Sequence, residues 1–167
     1  MTEVHQDTAL RAMPHGIRGV LIQIAAGRLL LPNATISEVL TYADPEPIHD
    51  APDWMLGRIR WRGWELPLVA FSQMAGLATE ERGGLGSKVA IMKNLRGGDR
   101  LPYFALLTQG FPRLVTVSED LLVADGDDGA ALPDGVHARV RLNDDEALLP
   151  DLERIAARID AALHADS

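Results

Sequence analysis

The sequence of 167 residues contains no cysteine. Disulfide frameworks and thiolate metal sites are therefore excluded, which suits a reducing cytoplasm. Aromatic residues make up only 5% of the chain. Basic residues are also in deficit, because 16 Lys and Arg stand against 24 Asp and Glu and leave a net charge of -8. A nucleic-acid partner is not expected, since neutralising a phosphate backbone requires clustered Lys and Arg.

Long apolar runs are missing as well. No segment approaches the ~20 apolar residues needed to cross a bilayer. The first twenty residues include Glu3, Asp7 and Pro14 and lack the continuous apolar core of a secretory signal. We therefore expect a cytoplasmic protein without membrane insertion. The 47% hydrophobic content is nevertheless enough for a chain of this length to bury a core.

Residue patterns for catalysis or metal binding are also lacking. The histidines are far apart in the sequence: His5, His15, His49, His137 and His164. No serine lies in a Gly-x-Ser-x-Gly elbow. The glycine-rich stretch before Lys88 lacks the order of a phosphate loop, and the acidic loop at Asp125 lacks the ligand spacing of a calcium loop. We predict no enzyme activity, no cofactor and no metal.

What the chain does contain is a series of strand signals, which is densest between residues 29 and 77. The run Leu29–Leu31 stops at Pro32, and the β-branched stretch Thr35–Tyr42 follows it. After a proline-rich loop, Leu56–Arg62 alternates, with Ile59 and Trp61 on one face and Arg58, Arg60 and Arg62 on the other. A turn at Gly63 and Trp64 and a returning strand over Leu66–Phe71 complete a predicted hairpin.

Further strand signals follow residue 87, and the last one is succeeded by a helical pattern. The predicted strands are Lys88–Leu95, Leu101–Thr108, Leu114–Val117, Leu121–Val123 and Val136–Leu142. The apolar residues from Leu148 to Leu163 have helical spacing, and Pro150 and Asp151 suit a first turn, so we predict a helix over about 150–164.

These signals predict an all-β fold with a C-terminal helix. Residues 1–16 are polar and predict a flexible N-terminal tail. The first lobe is expected over about 17–77, a glycine-rich connector over 78–87 and the second lobe over about 88–147. Each lobe is large enough for a small, closed, antiparallel five-stranded barrel.

The order of these signals resembles a CheW-like domain, the coupling module of bacterial chemosensory arrays, over roughly residues 18–160. The resemblance is carried by the glycine-led strand Gly57–Trp61, the turn at Arg62 and Gly63, and the proline-containing strand at Pro67. An aspartate usual after this strand is replaced near Ala70. The resemblance implies that residues 17–167 form a single domain in which two five-stranded SH3-like barrels pack on a shared apolar seam.

The resemblance also implies a function. CheW-like proteins are non-enzymatic scaffolds that couple a chemoreceptor to a CheA-type histidine kinase. The expected partners are the cytoplasmic tip of the receptor and the regulatory domain of the kinase, together with self-association in arrays. Among subtypes, the chain resembles most the accessory proteins of pilus-linked systems (ChpC-like), which implies control of type IV pilus motility.

Seven residues are predicted to bind these partners: Ile36, Glu38, Val39, Leu40, Arg58, Arg62 and Gly63. In the family the arginine before the turn glycine lies in the receptor or kinase contact region. Exposed β-branched residues at the seam receive the receptor helix, with Glu38 at their edge. The alternative interpretation is that these strand residues and Trp61 fill the core and that the arginines form a solvated face.

Two other functions remain open on the sequence. One is an adapter of the same fold that binds a different regulatory protein. The other is a double barrel that binds a small molecule, or an enzyme that uses the cleft, which requires polar residues to converge in a pocket.

Overall fold

The computed structural model describes residues 16–94, 101–118, 122–124 and 131–164. The strands within these ranges are β1 (Ile17–Ile24), β2 (Gly27–Pro32), β3 (Ile36–Thr41), β4 (Met55–Trp61), β5 (Trp64–Val69), β6 (Lys88–Lys93), β7 (Tyr103–Thr108), β8 (Arg113–Val117), β9 (Leu122–Ala124), β10 (Val136–Leu142) and β11 (Asp145–Pro150). The helices are α1 (Phe71–Met74) and α2 (Leu152–Leu163), and a 3₁₀ turn covers Asn33–Thr35. Fifteen residues of the predicted tail and the acidic loop at Asp125 lie outside the described ranges.

The strands form two sheets. Sheet A has the order β8-β1-β2-β11-β10-β9, and sheet B has the order β3-β6-β7-β5-β4. The predicted fold class, all-β with a C-terminal helix, is confirmed. Sheet A has six strands in the described residues rather than the five expected for each lobe.

The chain does not divide into the predicted lobes 17–77 and 88–147. It starts in sheet A with β1 and β2, forms all of sheet B with β3 to β7, and then returns to sheet A. The β1–β2 hairpin therefore completes a sheet whose other strands come from the second half of the chain. This arrangement creates one parallel pairing in each sheet, at Leu29 with Leu148 and at Leu68 with Ala105, where we expected antiparallel pairs throughout.

The apolar side chains form three clusters. The sheet A cluster contains Leu21, Leu30, Val140, Leu142 and Ala147. The sheet B cluster contains Trp61, Leu66, Leu68, Val89, Ile91, Ala105 and Leu107. The largest, which we call the seam cluster, joins residues of both sheets to α1 and α2, among them Val20, Ile22, Leu31, Val69, Phe71, Met92, Phe104, Ile155 and Ile159. Alternate residues of one strand serve two clusters, because successive side chains point to opposite faces.

Helix α2 packs on the seam. Its N-cap is Asp151, whose side chain accepts a hydrogen bond from the N–H of Arg154 at 3.0 Å. Leu152, Ile155 and Ile159 are buried against the seam cluster. The helix lies inside the predicted range of 150–164 and starts later, because Pro150 is the last residue of β11.

The segment 78–87 does not connect two lobes. It follows α1 and leads to β6, and both β5 and β6 belong to sheet B. The sequence shows a polar glycine-rich stretch, but Glu81 within it is only 2% exposed. Within the residues that the structure describes, no helix is long and apolar enough to cross a membrane.

Candidate protein-binding site

Strand β3 lies at one edge of sheet B and carries four of the predicted binding residues. It pairs with β6, and a bulge between Ile36 and Glu38 shifts the register. Directly paired residues share a face of the sheet. Ile36 and Val39 pair with Met92 and Ala90, two members of the seam cluster, and therefore lie on the seam face.

Glu38 and Leu40 lie on the opposite face. They pair with Ile91 and Val89, which belong to the sheet B cluster, and Leu40 packs against that cluster. For Leu40, packing inside the fold therefore agrees with the structure better than exposure to a partner does. Because of the bulge, β3 presents Ile36 and Val39, both half-buried, toward the seam, rather than a continuous row of three apolar residues.

The turn between β4 and β5 consists of Arg62 and Gly63. Both have positive φ, at 49° and 82°, and the turn is closed by the pair Trp61 and Trp64. Two left-handed residues are typical of a type I′ hairpin turn, which matches the twist of the flanking strands. Arg62 is thus the first turn residue and not the last strand residue, which corrects the predicted alternation of the three arginines.

Arg62 and Glu38 meet, although they are 24 residues apart. The Nη2 atom of Arg62 donates to Oε1 of Glu38 at 3.1 Å, and the indole Nε1 of Trp61 donates to the same oxygen at 3.1 Å. The guanidinium of Arg62 also lies over the Trp61 ring, 4.9 Å from its centroid. These contacts join edge strand β3 to the end of edge strand β4, so sheet B curls nearly into a closed barrel.

Aromatic side chains continue this surface. Tyr103 from β7 contacts Trp61 edge-on, with centroids 4.8 Å apart, and Trp64 at 6.5 Å. Trp61 is buried at 7% exposure, whereas Trp64 is 41% exposed. We call Glu38, Trp61, Arg62, Trp64 and Tyr103 the rim cluster. Tyr103 could not be predicted as a member from the sequence, because only the fold brings β7 beside the β4–β5 hairpin.

Arg58 belongs to a different surface. Its side chain pairs with Glu65 at 3.8 Å, as does that of Arg60 at 3.7 Å. Arg58 also lines a cavity of about 350 Å³ with residues that include Ile48 and Leu163 of α2. Of the seven predicted residues, the structure brings Glu38, Arg62 and Gly63 together and places Ile36 and Val39 on the seam face. Leu40 packs against the sheet B cluster beside Trp61, and Arg58 lies apart from both groups.

The third tryptophan in this region has a structural role. Trp54 packs against the seam cluster, and the guanidinium of Arg158 lies 5.1 Å from its ring centroid. The three tryptophans between residues 54 and 64 therefore belong to two different parts of the fold. Trp54 belongs to the seam, and Trp61 and Trp64 belong to the rim cluster.

An apolar cavity of about 170 Å³ opens in sheet A next to the sheet A cluster. It is lined by residues of β1, β2, β8, β9 and β11, including Ile17, Leu31, Val117 and Leu149. Ile17 is 57% exposed at its mouth. Pro32 also lines the cavity and directly precedes the 3₁₀ turn before β3, so the cavity lies close in sequence to Ile36. A partner with a protruding apolar side chain fits such a cavity.

The rim cluster combines Arg and Trp side chains at partial exposure, which is the composition that protein interfaces favour. Groups of three or more His, Cys, Asp or Glu side chains arranged to hold a metal are not found in the described ranges. The fold and the site define an all-β protein of two curled sheets in which an Arg- and Trp-bearing rim cluster lies at the edge of one sheet.

The comparisons with known proteins agree with this class. The family model described as CheW-like domain matches residues 18–160, so the chain belongs to the CheW-like family. Among solved structures, the chain is similar to the scaffolding protein TtCheW from Thermoanaerobacter tengcongensis, with a TM-score of 0.66 over 82% of this chain and 85% of that one. At 17% identity this likeness shows a shared fold. A comparison with curated proteins gives no match.

Proposed function

We propose that this chain is a non-enzymatic scaffold that couples a chemoreceptor to a CheA-type histidine kinase. Membership of the CheW-like family supports the proposal. The observation that carries it is the geometry of Arg62, whose side chain is 70% exposed and yet held by Glu38 and by the Trp61 ring. A charged group that is oriented before binding loses little conformational entropy when a partner arrives.

The mechanism of coupling is geometric and requires no bond to be made or broken. A helix from the receptor tip lies along the seam face at Ile36 and Val39 and places an apolar side chain in the cavity at Ile17. Arg62 sets the orientation of the bound partner through a charged contact. The regulatory domain of the kinase occupies another face, so both partners are held at a fixed distance, and self-association extends the array.

The proposal has a finer part that rests on the sequence resemblance alone. On that basis, the system served is one linked to type IV pili, and the scaffold acts in the cytoplasm. A bacterial strain lacking the gene for this chain tests this part directly, because twitching motility should then be lost and should return when the gene is restored.

A charge-swap series tests the binding site. We expect Arg62→Glu to reduce co-sedimentation with receptor-containing vesicles and kinase at least tenfold, because an oriented charge is replaced by its opposite. The matched control is Arg60→Glu on the same hairpin, whose side chain is 84% exposed and pairs with Glu65. This control should bind like the wild type.

The double variant Glu38→Arg with Arg62→Glu separates two roles of Arg62. It restores the ion pair within the chain but reverses the charge that a partner meets. If Arg62 contacts the partner, the double variant stays defective while its circular dichroism spectrum matches the wild type. Full recovery of binding would show that Arg62 acts only inside the fold, and normal binding by Arg62→Glu would show that the surface is wrongly assigned.

A second candidate function is binding of a small molecule. A cavity of about 450 Å³ lies at the other end of the seam and is lined by Arg28, Arg139, Glu146 and the apolar Leu77 and Leu148. This volume is within the usual range for ligand sites. A metabolite that binds there should raise the unfolding temperature of the wild type but not of Arg139→Gln. The absence of any stabilising compound in a screen of organic anions would remove this candidate.

A further inference from the structure

Glu81 is a buried carboxylate whose partners come from three separate parts of the chain. Its Oε2 accepts the N–H of Ala25 at 2.7 Å and the side-chain amide of Gln109 at 3.1 Å. Its Oε1 accepts the N–H of Ser72 at 3.3 Å. The residue is 2% exposed. Carboxylates are rarely buried to this degree without such a set of donors.

The donor at Ala25 lies in the turn of a sheet A hairpin, whereas Glu81 lies in the loop that leads from α1 to β6 of sheet B. Ala25 and Ala26 form the tip of the β1–β2 hairpin, and Glu81 lies between α1 and β6. Two more hydrogen bonds cross between the sheets at the same place. The N–H of Ala26 donates to Oγ of Ser72 at 3.1 Å, and the N–H of Gln109 donates to the carbonyl of Gln23 at 2.7 Å.

We call the polar contacts among Gln23, Ala25, Ala26, Ser72, Glu81 and Gln109 the hairpin clasp. The clasp lies at one end of β2, and the 3₁₀ turn that leads to Ile36 lies at the other. Six residues of strand separate these ends, which is about 20 Å at ~3.3 Å per residue. Between these ends the two sheets meet through apolar side chains of the seam cluster. Apolar packing is non-directional, so it defines the relative orientation of the sheets less strictly than hydrogen bonds do.

We propose that Glu81 is a positioning residue that fixes the placement of sheet A against sheet B, and that it thereby sets the geometry of the seam face where the partner helix binds. The second half of this inference rests on the function proposed above. Removing the carboxylate leaves three donors without this acceptor, namely the N–H groups of Ala25 and Ser72 and the side-chain amide of Gln109. Ser72 is buried, whereas Ala25 lies at the exposed tip of the hairpin, so the tip loses its hydrogen bond to the loop after α1 and is free to shift toward water.

Distance measurements between the sheets test the first half. The chain has no cysteine, so spin labels attach only at introduced ones. Arg60→Cys in sheet B and Thr116→Cys in sheet A place labels at exposed positions. We expect Glu81→Ala to broaden or shift the distance distribution of this pair in the full chain. Glu80→Ala is the matched control, because Glu80 is the neighbouring residue, is exposed and pairs with Arg82 at the surface.

Binding measurements test the second half. Glu81→Ala should weaken binding to the receptor tip at least fivefold although Glu81 is buried and cannot touch a partner, and Glu80→Ala should not. Glu81→Gln keeps the shape and one acceptor oxygen, so it should recover part of the binding that Glu81→Ala loses. If Glu81 only stabilised the fold, the three variants would bind the receptor tip equally well at a temperature where circular dichroism shows all of them to be folded.

The outcomes separate this inference from the proposed function. A distance distribution in Glu81→Ala that equals that of the wild type overturns the positioning role, whatever the binding result. A changed distribution with unchanged receptor binding keeps the clasp and overturns its link to the site. If Glu81→Ala does not fold, Glu81→Gln replaces one acceptor oxygen of the clasp by a donor, and a distance distribution equal to that of the wild type in this variant overturns the positioning role.

Discussion

Gly57 shows how a single residue controls the packing of this fold. It lies in β4 with φ at +152° and is buried. A Cβ atom added there would lie 2.5 Å from the carbonyl oxygen of Glu46, which is far inside contact distance. Glu46 approaches because its backbone pairs with Arg58 in an isolated bridge. The proline-rich loop before β4 is therefore held against the sheet at a position that only glycine allows.

From this contact we predict that Gly57→Ala destabilises the protein by about 2 kcal/mol or more, because backbone atoms must separate and the bridge to Glu46 is lost. Chemical denaturation followed by circular dichroism measures the change. Gly84→Ala is the control, since no atom lies within 4 Å of a Cβ added there. Equal stability of the two variants would contradict the argument.

Arg62 carries strain of a smaller kind. Its φ of 49° is unusual for a residue other than glycine, asparagine or aspartate. Asparagine adopts this conformation more easily and would suit the turn better. The backbone of Arg62 therefore has an unfavourable conformation, while its side chain forms the ion pair of the rim cluster with Glu38. This agrees with a role in binding, since locally unfavourable conformations concentrate at functional sites.

At the scale of elements, the start of α2 is anchored by charge. The guanidinium of Arg154 donates to both oxygens of Asp134, at 2.8 and 3.2 Å, and Arg158 approaches the same carboxylate at 3.2 Å. These contacts, above all the hydrogen bond from Arg154, lower the pKa of Asp134 below its ordinary value. They tie the helix to the loop that precedes β10.

This lowered pKa predicts a pH dependence. A depressed carboxyl pKa stabilises the fold above the unfolded value of about 3.8 and loses that contribution as the pH falls through the folded value. We expect Asp134→Asn to be less stable at pH 7, by less than about 1 kcal/mol because the side chain is 43% exposed. The difference should begin to shrink as the pH falls below about 3.8 and should vanish only below the lowered folded pKa. Thermal unfolding of both proteins between pH 7 and pH 3 measures it.

Asp144→Asn, in the exposed turn between β10 and β11, provides the control for this series. It should follow the wild type across the whole range. A gap between Asp134→Asn and the wild type that persists unchanged at pH 3 would show that the side chain stabilises α2 through something other than its charge.

Most single elements could be predicted from the sequence, because each depends on local periodicity. The alternation in Val136–Leu142 gave β10, and the apolar spacing after Leu148 gave α2. The bulge at Ser37 could not be predicted, since an extra residue in one strand is visible only against its partner β6. It turned the partly buried Leu40 toward the sheet B cluster, where the family resemblance implied exposure at the seam.

The candidate site was predictable only in part for a related reason. Arg62 and Gly63 were found through the resemblance to a family motif. Their contact with Glu38 depends on the curling of sheet B, and Tyr103 enters from β7. Glu81 was hidden for a different reason, since a polar glycine-rich stretch predicts exposure and only the pairing of the β1–β2 tip with α1 makes it a buried acceptor.

At the scale of the whole molecule, the shared burial in the seam predicts that the two sheets unfold as one cooperative unit. The seam cluster draws apolar residues from both sheets and both helices, so the loss of either sheet would expose it. All three tryptophans lie in sheet B or in the loop before β4, whereas circular dichroism reports both sheets. Tryptophan fluorescence therefore reports on sheet B, whereas circular dichroism reports on both sheets.

We predict that tryptophan fluorescence and far-ultraviolet circular dichroism give the same midpoint in urea. Trp54→Phe leaves the two tryptophans of the rim cluster as the only reporters of sheet B and should give the same midpoint by both signals. Two separated transitions would show that one sheet unfolds without the other. The seam would then contribute less to the coupling of the two sheets than its burial indicates.

The interleaved path of the chain has a consequence for how the protein is made. A ribosome releases β1 and β2 first, but the strands that complete their sheet emerge only after residue 112, when all of sheet B is already outside the exit tunnel. At typical elongation rates of about 5–20 residues per second, the apolar hairpin waits for several seconds without its neighbours. Sheet B is thus the first partner available to the nascent hairpin, and the seam cluster, which joins β1 and β2 to strands of sheet B, is the contact that can cover its apolar side chains before the later strands arrive.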